Sequence, residues 1–208
     1  MAVWDFAMPS PLHLCRAFHN SWASWTASEA RLRIATSASD TTPLPAEAIH
    51  APPLPPPVDT VYCSTDAGFS GPDRSPTFGF YVRSMDGAFV AAASGPLACP
   101  YDPLLAEAMA IHEALSWLQE HNYHNVQILS DCAVLVASFR DAGSYRSYLG
   151  IVLDSCLRLI NSFPACSVKF VRRGSNLVAH ALAKHVSAVE ARTVWRDSLP
   201  PFISPAMI

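Results

Sequence analysis

From Thr60 onward the chain is punctuated so regularly that it restricts the fold to one broad class. Three β-prone runs come first. Residues 61–65 (VYCST) lead into Asp66, and residues 77–83 place Phe78, Phe80 and Val82 on one face. Met85-Asp86-Gly87 then supplies a hairpin turn into a third run over 88–94, because Asp-Gly readily adopts the backbone that a tight turn needs. Next comes a helix with Pro103 in its first turn and a stripe of Leu104, Ala108, Ile111, Leu115 and Leu118. A short buried strand over 126–129 and a short helix over 132–139 follow. Leu149, Val152, Leu153, Cys156, Leu159 and Ile160 mark another amphipathic helix. A fifth strand over 167–171 precedes a closing helix over 176–186, with Val178, Ala179, Leu182 and Val186 inward. The order βββαβααβα predicts an α/β domain: a mixed sheet covered by helices, since parallel neighbours need crossover connections.

The first 59 residues read differently. Trp22, Trp25 and Leu32 suggest one helix over 20–35, although Ser28 interrupts its stripe. Residues 51–57 (APPLPPP) favour extended polyproline backbone that cannot join a sheet, so 41–58 reads as a linker. The predicted organisation is a partly disordered N-terminal region (1–59), a domain (60–188) and a C-terminal tail (189–208). Half of the residues are hydrophobic and 15% are charged, which suits a globular core and excludes wholesale disorder. The formal charge of −3 argues against strong non-specific nucleic-acid binding. Cys15, Cys63, Cys99, Cys132, Cys156 and Cys166 show no CxxC pair or zinc-type spacing and read as reduced structural thiols. No apolar run is long enough to cross a bilayer, and no secretory signal pattern opens the chain. The expectation is an intracellular, monomeric protein of nucleus or cytoplasm. The acid-poor stretch around Arg31, Arg33, Ser37 and Ser39 keeps an organellar transit peptide as the alternative.

Three acids stand out. Asp66 closes the first predicted strand, Asp131 follows the fourth, and Glu107 lies near the start of the first long helix. If the first and fourth strands are neighbours, both aspartates reach the crevice where such sheets bind ligands. Glu107 breaks the amphipathic rule: it falls within the stripe of Leu104, Ala108 and Ile111, while Glu113 and Glu120 fall opposite. A carboxylate on the packed side needs a partner, and a divalent cation supplies one. Taken singly, a strand-end Asp is commonly a turn former and an early helical Glu a partner of the helix dipole. Taken together, three carboxylates suit Mg²⁺ or Mn²⁺ and two-metal phosphodiester hydrolysis.

The segments STDAGF (64–69), LLAEAMAIHEAL (104–115), ILSDC (128–132) and VRRGSNLVAHALAKH (171–185) resemble the type I ribonuclease H domain. They are most similar to the plant reverse-transcriptase-like branch derived from non-LTR retroelements. The resemblance spans about 125 residues in motif order and spacing. The flanking segments, including Pro200-Pro201-Phe202, are also similar to those of that branch. It implies a five-stranded sheet in the order 3-2-1-4-5, an RNA–DNA hybrid across the acidic cleft, and metal-ligand roles for Asp66, Glu107 and Asp131. The family's fourth carboxylate falls at His180, four residues after Asn176, where a neutral imidazole brings no negative charge. The mobile histidine of fully active members has no match, and Phe170, Arg172 and Arg173 occupy that neighbourhood. His185 reads as a flank residue of the last helix.

Arg172, Arg173 and Lys184, with Asn176, are the candidate nucleic-acid contacts; adjacent arginines form either a solvated surface or a grip on phosphates. Three functions follow. One is metal-dependent endonucleolytic cleavage of the RNA strand of RNA–DNA hybrids, carried by Asp66, Glu107 and Asp131 with His180 at the fourth catalytic position. Another is a weak or inactive hybrid- or RNA-binding module. The last is a protein-interaction domain using Trp22, Trp25 and the proline segment.

Overall fold

In the computed structural model the described residues are 57–70, 74–139, 147–185, 192–204 and 207. All belong to the second of two compact units, Leu54–Ile208. The predicted helix over 20–35, and the linker apart from its last two residues, lie outside them.

Strands β1 (Val61–Ser70), β2 (Ser75–Arg83) and β3 (Phe89–Pro96) form the antiparallel meander. Its second turn closes as the Asp-Gly signal predicts. Gly87 takes φ +88°, in the left-handed region where a side chain is strained, and its N–H donates to the Ser84 carbonyl at 3.1 Å. Helix α1 (Pro103–Glu120) begins where Asp102, in extended backbone, accepts from the N–H groups of Leu104 and Leu105 at 3.0 and 3.2 Å. Pro103 at the first helical position lacks only a donor that would have had no partner. The remaining elements are β4 (Asn125–Ser130), α2 (Ala133–Ser138), α3 (Tyr148–Ser162), β5 (Ala165–Phe170), a 3₁₀ turn (Arg173–Ser175), α4 (Leu177–His185) and β6 (Thr193–Trp195).

The sheet order is β5-β4-β1-β2-β3-β6, with β4 parallel to both β1 and β5. The expected order 3-2-1-4-5 is present, and the expected strand number needs correction. Residues 193–195 of the predicted tail pair with Ala92–Ser94 and add a sixth strand. They satisfy backbone groups that β3 would otherwise expose at an edge, and three residues are too few for periodicity to reveal. The predicted end of β1 also moves. Asp66 does not terminate the strand; it lies mid-strand opposite Gly79, and pairing continues to Ser70. The segment Asp-Ala-Gly has poor intrinsic β tendency, which the cross-strand ladder overrides.

Two apolar layers hold the sheet. Phe78, Phe80 and Val82 meet Ile111, Leu115 and Leu118 of α1 and Ile128 of β4, all buried in one core. Each such side chain contributes about 1.5–3 kcal/mol through burial. The opposite layer joins Tyr81 and Ala92 to Val178 and Leu182 of α4 and to Ile203 beyond β6. There α4 sits almost on the backbone of the sheet. A Cβ on Gly79 would come within 2.4 Å of the Ala183 nitrogen and 2.5 Å of the Ala179 oxygen. The Thr77 hydroxyl donates to the Ala183 carbonyl at 2.7 Å, pinning α4 to β2. Among the described residues, the five cysteines are free and no helix is long and apolar enough to cross a membrane.

Candidate metal centre

The sheet register brings the two aspartates together. Thr65 and Ser130 are neighbours across the parallel β1–β4 pair, so the next residues, Asp66 within β1 and Asp131 just beyond the end of β4, lie side by side. Asp66 shares a sheet face with its antiparallel partner Gly79, the face on which α4 rests. Glu107 arrives from α1, one turn into the helix. Each of Asp66, Glu107 and Asp131 can offer one carboxylate oxygen such that all lie within 4.8 Å of one another.

The electrostatics of this trio favour a cation. Burial is the main cause that pushes the Glu107 carboxyl up to about 9, followed by the negative charges of Asp66 and Asp131, against a smaller opposing effect of the Ala67 N–H. Burial likewise raises Asp66, opposed chiefly by its hydrogen bond with His180. Protein groups alone therefore leave the cluster holding a proton at neutral pH. Glu107 Oε2 is buried with no hydrogen-bond partner among the described residues. A donor set of three carboxylates with one orphaned oxygen fits a hard divalent ion, which would satisfy that oxygen and displace the proton.

His180 lies beside the trio rather than within it. Its Nδ1 is 2.7 Å from Asp66 Oδ2, and its Nε2 is 3.4 Å from Nη2 of Arg173. The position expected to serve as a fourth catalytic group thus contacts one of the three acids. Asn176 also needs correction as a nucleic-acid contact. It is 1% exposed, and its Nδ2 donates to the Thr65 carbonyl at 2.9 Å and to Asp131 Oδ1 at 3.1 Å. A side chain enclosed in this way cannot reach a nucleic acid; it holds Asp131 against β1. Arg173 is brought to the site, whereas Arg172 and Lys184 are exposed and touch none of the three acids. His185 stacks on Phe202 with ring centroids 3.5 Å apart, as suits a flank residue. Sequence reading missed the Arg173–His180 and Asn176–Asp131 contacts. The spacing of Asn176 and His180, four residues apart at the start of one helix, was the available signal.

The reverse transcriptase-like family model matches residues 64–186, a span that contains all three acids, Asn176 and His180. No curated protein matches the chain. Among solved structures, RNase H1 from the halophilic archaeon Halobacterium salinarum is 21% identical with a TM-score of 0.54, covering 59% of this chain and 93% of that one. The N-terminal RNase H domain of a Mycobacterium tuberculosis protein is 17% identical with a TM-score of 0.53, covering 60% and 91%. LC11-RNase H1, solved in complex with an RNA/DNA hybrid, is 17% identical with a TM-score of 0.52, covering 59% and 92%. At these identities the likeness is one of fold, and the fold is that of ribonuclease H. With its sheet order and a family match over most of the domain, the chain belongs to the reverse transcriptase-like family of ribonuclease H-like proteins.

Proposed function

We propose that the domain hydrolyses the RNA strand of RNA–DNA hybrids in a reaction that depends on Mg²⁺ or Mn²⁺. The observation that carries this reading is the convergence of Asp66, Glu107 and Asp131 within 4.8 Å at the junction of β1, β4 and α1. A bound pair of divalent ions would activate water and stabilise the leaving oxygen, the chemistry that phosphodiester cleavage requires. The chain's own contribution is to hold three carboxylates together in a partly buried site. Asn176 restrains Asp131, and the Ala67 N–H restrains Glu107. Arg172, Arg173 and Lys184 are exposed cations available to phosphates, and Arg173 is linked to the acid cluster through His180. The hybrid bound in the LC11-RNase H1 structure supports the substrate class by analogy of fold. The reverse transcriptase-like match supports a retroelement origin.

The test is cleavage of an end-labelled RNA–DNA hybrid by the purified chain with Mg²⁺ or Mn²⁺, against EDTA and against Asp66→Asn. Single-stranded RNA, duplex RNA and duplex DNA serve as competing substrates. Metal-dependent cutting confined to the hybrid supports the reading, and its absence sinks it. A second reading is a binding module that no longer cuts. It is favoured by the commitment of Asp66 Oδ2 to His180, and it predicts hybrid binding without cleavage in the same assay.

A further inference from the structure

The turn after β5 sends two side chains back toward the acid cluster, and each ends on a different aspartate. Asn176 reaches Asp131 directly, whereas Arg173 reaches Asp66 through His180. We propose that Arg173 and His180 act as a positioning pair for Asp66. Arg173 donates to Nε2 of the imidazole, the ring proton therefore resides on Nδ1, and Nδ1–H holds Asp66 Oδ2. His180 thus orients a cation ligand and is not a ligand itself. The inference rests on the reading of Asp66 as such a ligand.

Donor and acceptor inventories fix where the ring proton sits. A guanidinium carries donors only, so the imidazole nitrogen that faces it must accept. Nε2 faces Nη2 of Arg173 at 3.4 Å and is that acceptor. A neutral ring has one N–H, which leaves it on Nδ1, 2.7 Å from Asp66 Oδ2, a length suited to a charged acceptor. With one nitrogen donating and the other accepting, the ring has no free lone pair for a cation.

The pair is held from both sides. His180 belongs to α4, whose seat is set by the bare Gly79 backbone and by the Thr77–Ala183 hydrogen bond. Arg173 belongs to the 3₁₀ turn, closed by Ser175 N–H to the Arg172 carbonyl at 2.8 Å and Asn176 N–H to the Arg173 carbonyl at 3.0 Å. Fixing one oxygen of Asp66 limits its rotation and pre-organises the other, as outer partners of metal ligands do.

Ring-nitrogen NMR of the EDTA-treated full chain, labelled with ¹⁵N-histidine, tests the pair without any cleavage assay. The signal is assigned by its loss in His180→Asn. His180 in the wild-type chain should show the Nδ1–H tautomer. Arg173→Met, a change at an exposed side chain, leaves Nδ1–H on the Asp66 carboxylate but frees the Nε2 end of the ring, and should weaken Mn²⁺ binding by about threefold or more. Manganese titration by calorimetry provides the second readout. An Asn amide can place its N–H where Nδ1 stands, whereas a Gln amide reaches the Nε2 position. His180→Asn should therefore bind Mn²⁺ within about threefold of wild type, and His180→Gln and His180→Ala about tenfold or more weaker. An Nε2–H ring in the wild-type chain overturns the proposal, as does tighter Mn²⁺ binding by the Gln variant than by the Asn variant. A chain that shows the Nδ1–H ring and cuts no hybrid upholds the pair and sinks the nuclease reading, so the two failures are separable.

Discussion

Asp66 on β1 lies directly opposite Gly79 on β2, and the absent side chain at 79 lets α4 descend far enough for His180 to meet Asp66. A position with no chemistry of its own thus determines what surrounds the acid cluster. Gly79→Ala should destabilise the domain by about 1–3 kcal/mol, the usual cost of overpacking. Its new Cβ would meet the backbone of Ala179 and Ala183, which cannot swing aside as a side chain could. Urea denaturation measures the loss; a midpoint equal to wild type would show that α4 can lift without cost.

Asp66→Asn should abolish metal-dependent cleavage, by about a hundredfold or more, while preserving the fold. The amide keeps the shape of the carboxylate and loses the charge that holds a cation, a contribution of several kcal/mol at the transition state. Cleavage kinetics together with circular dichroism check it. Retained activity in the folded variant would place the chemistry elsewhere.

The metal-free domain should lose stability as pH rises from about 4.5 toward about 9. The sign follows from Glu107, whose ordinary value of 4.5 is pushed up to about 9 in the fold. Between those values the folded chain retains a proton that the unfolded chain has released, so rising pH favours unfolding. The contribution is fully present below the unfolded value and gone above the folded one. Asp66, also raised by burial, acts in the same direction. Melting temperatures in EDTA across this range should slope downward, less steeply in Glu107→Gln, and saturating Mg²⁺ should flatten the slope by taking the proton's place. Parallel slopes in both proteins would remove Glu107 as the cause.

His180→Asp should lower the melting temperature in EDTA and enlarge its rise on adding Mg²⁺. The substitution replaces the donor 2.7 Å from Asp66 Oδ2 with a fourth carboxylate. Like charges repel until a cation joins them, after which the added ligand charge strengthens binding. A thermal-shift titration reads both effects. Superimposable curves for the two proteins would exclude position 180 from the electrostatics of the cluster.

Asn176→Ala should destabilise the fold by about 1–3 kcal/mol by removing the donor to a buried carbonyl and to Asp131. Asn176 is 1% exposed, so water cannot readily replace that donor. Mn²⁺ affinity should fall with stability, because Asp131 loses its restraint against β1. Calorimetry on the folded variant checks the second effect, and unchanged affinity would confine Asn176 to a structural role.

Local patterns in the sequence determined most of the architecture and the identity of the three acids. The Phe78-Phe80-Val82 alternation, the Asp86-Gly87 turn and the α1 stripe are short-range signals, because side-chain direction repeats every two residues in a strand and every 3.6 in a helix. Glu107 was legible for the same reason, as a charge on the wrong side of that stripe. Contacts between segments far apart in the chain have no such period. Thr193–Trp195 becomes a strand only because β3 offers an open edge. Asn176 turns inward because Thr65 and Asp131, from two other strands, present acceptors to it. His180 meets Asp66 because Gly79 lets a helix approach the sheet. In each case a partner's backbone or packing, not the residue's own neighbourhood in sequence, decides where the side chain finds its hydrogen bonds.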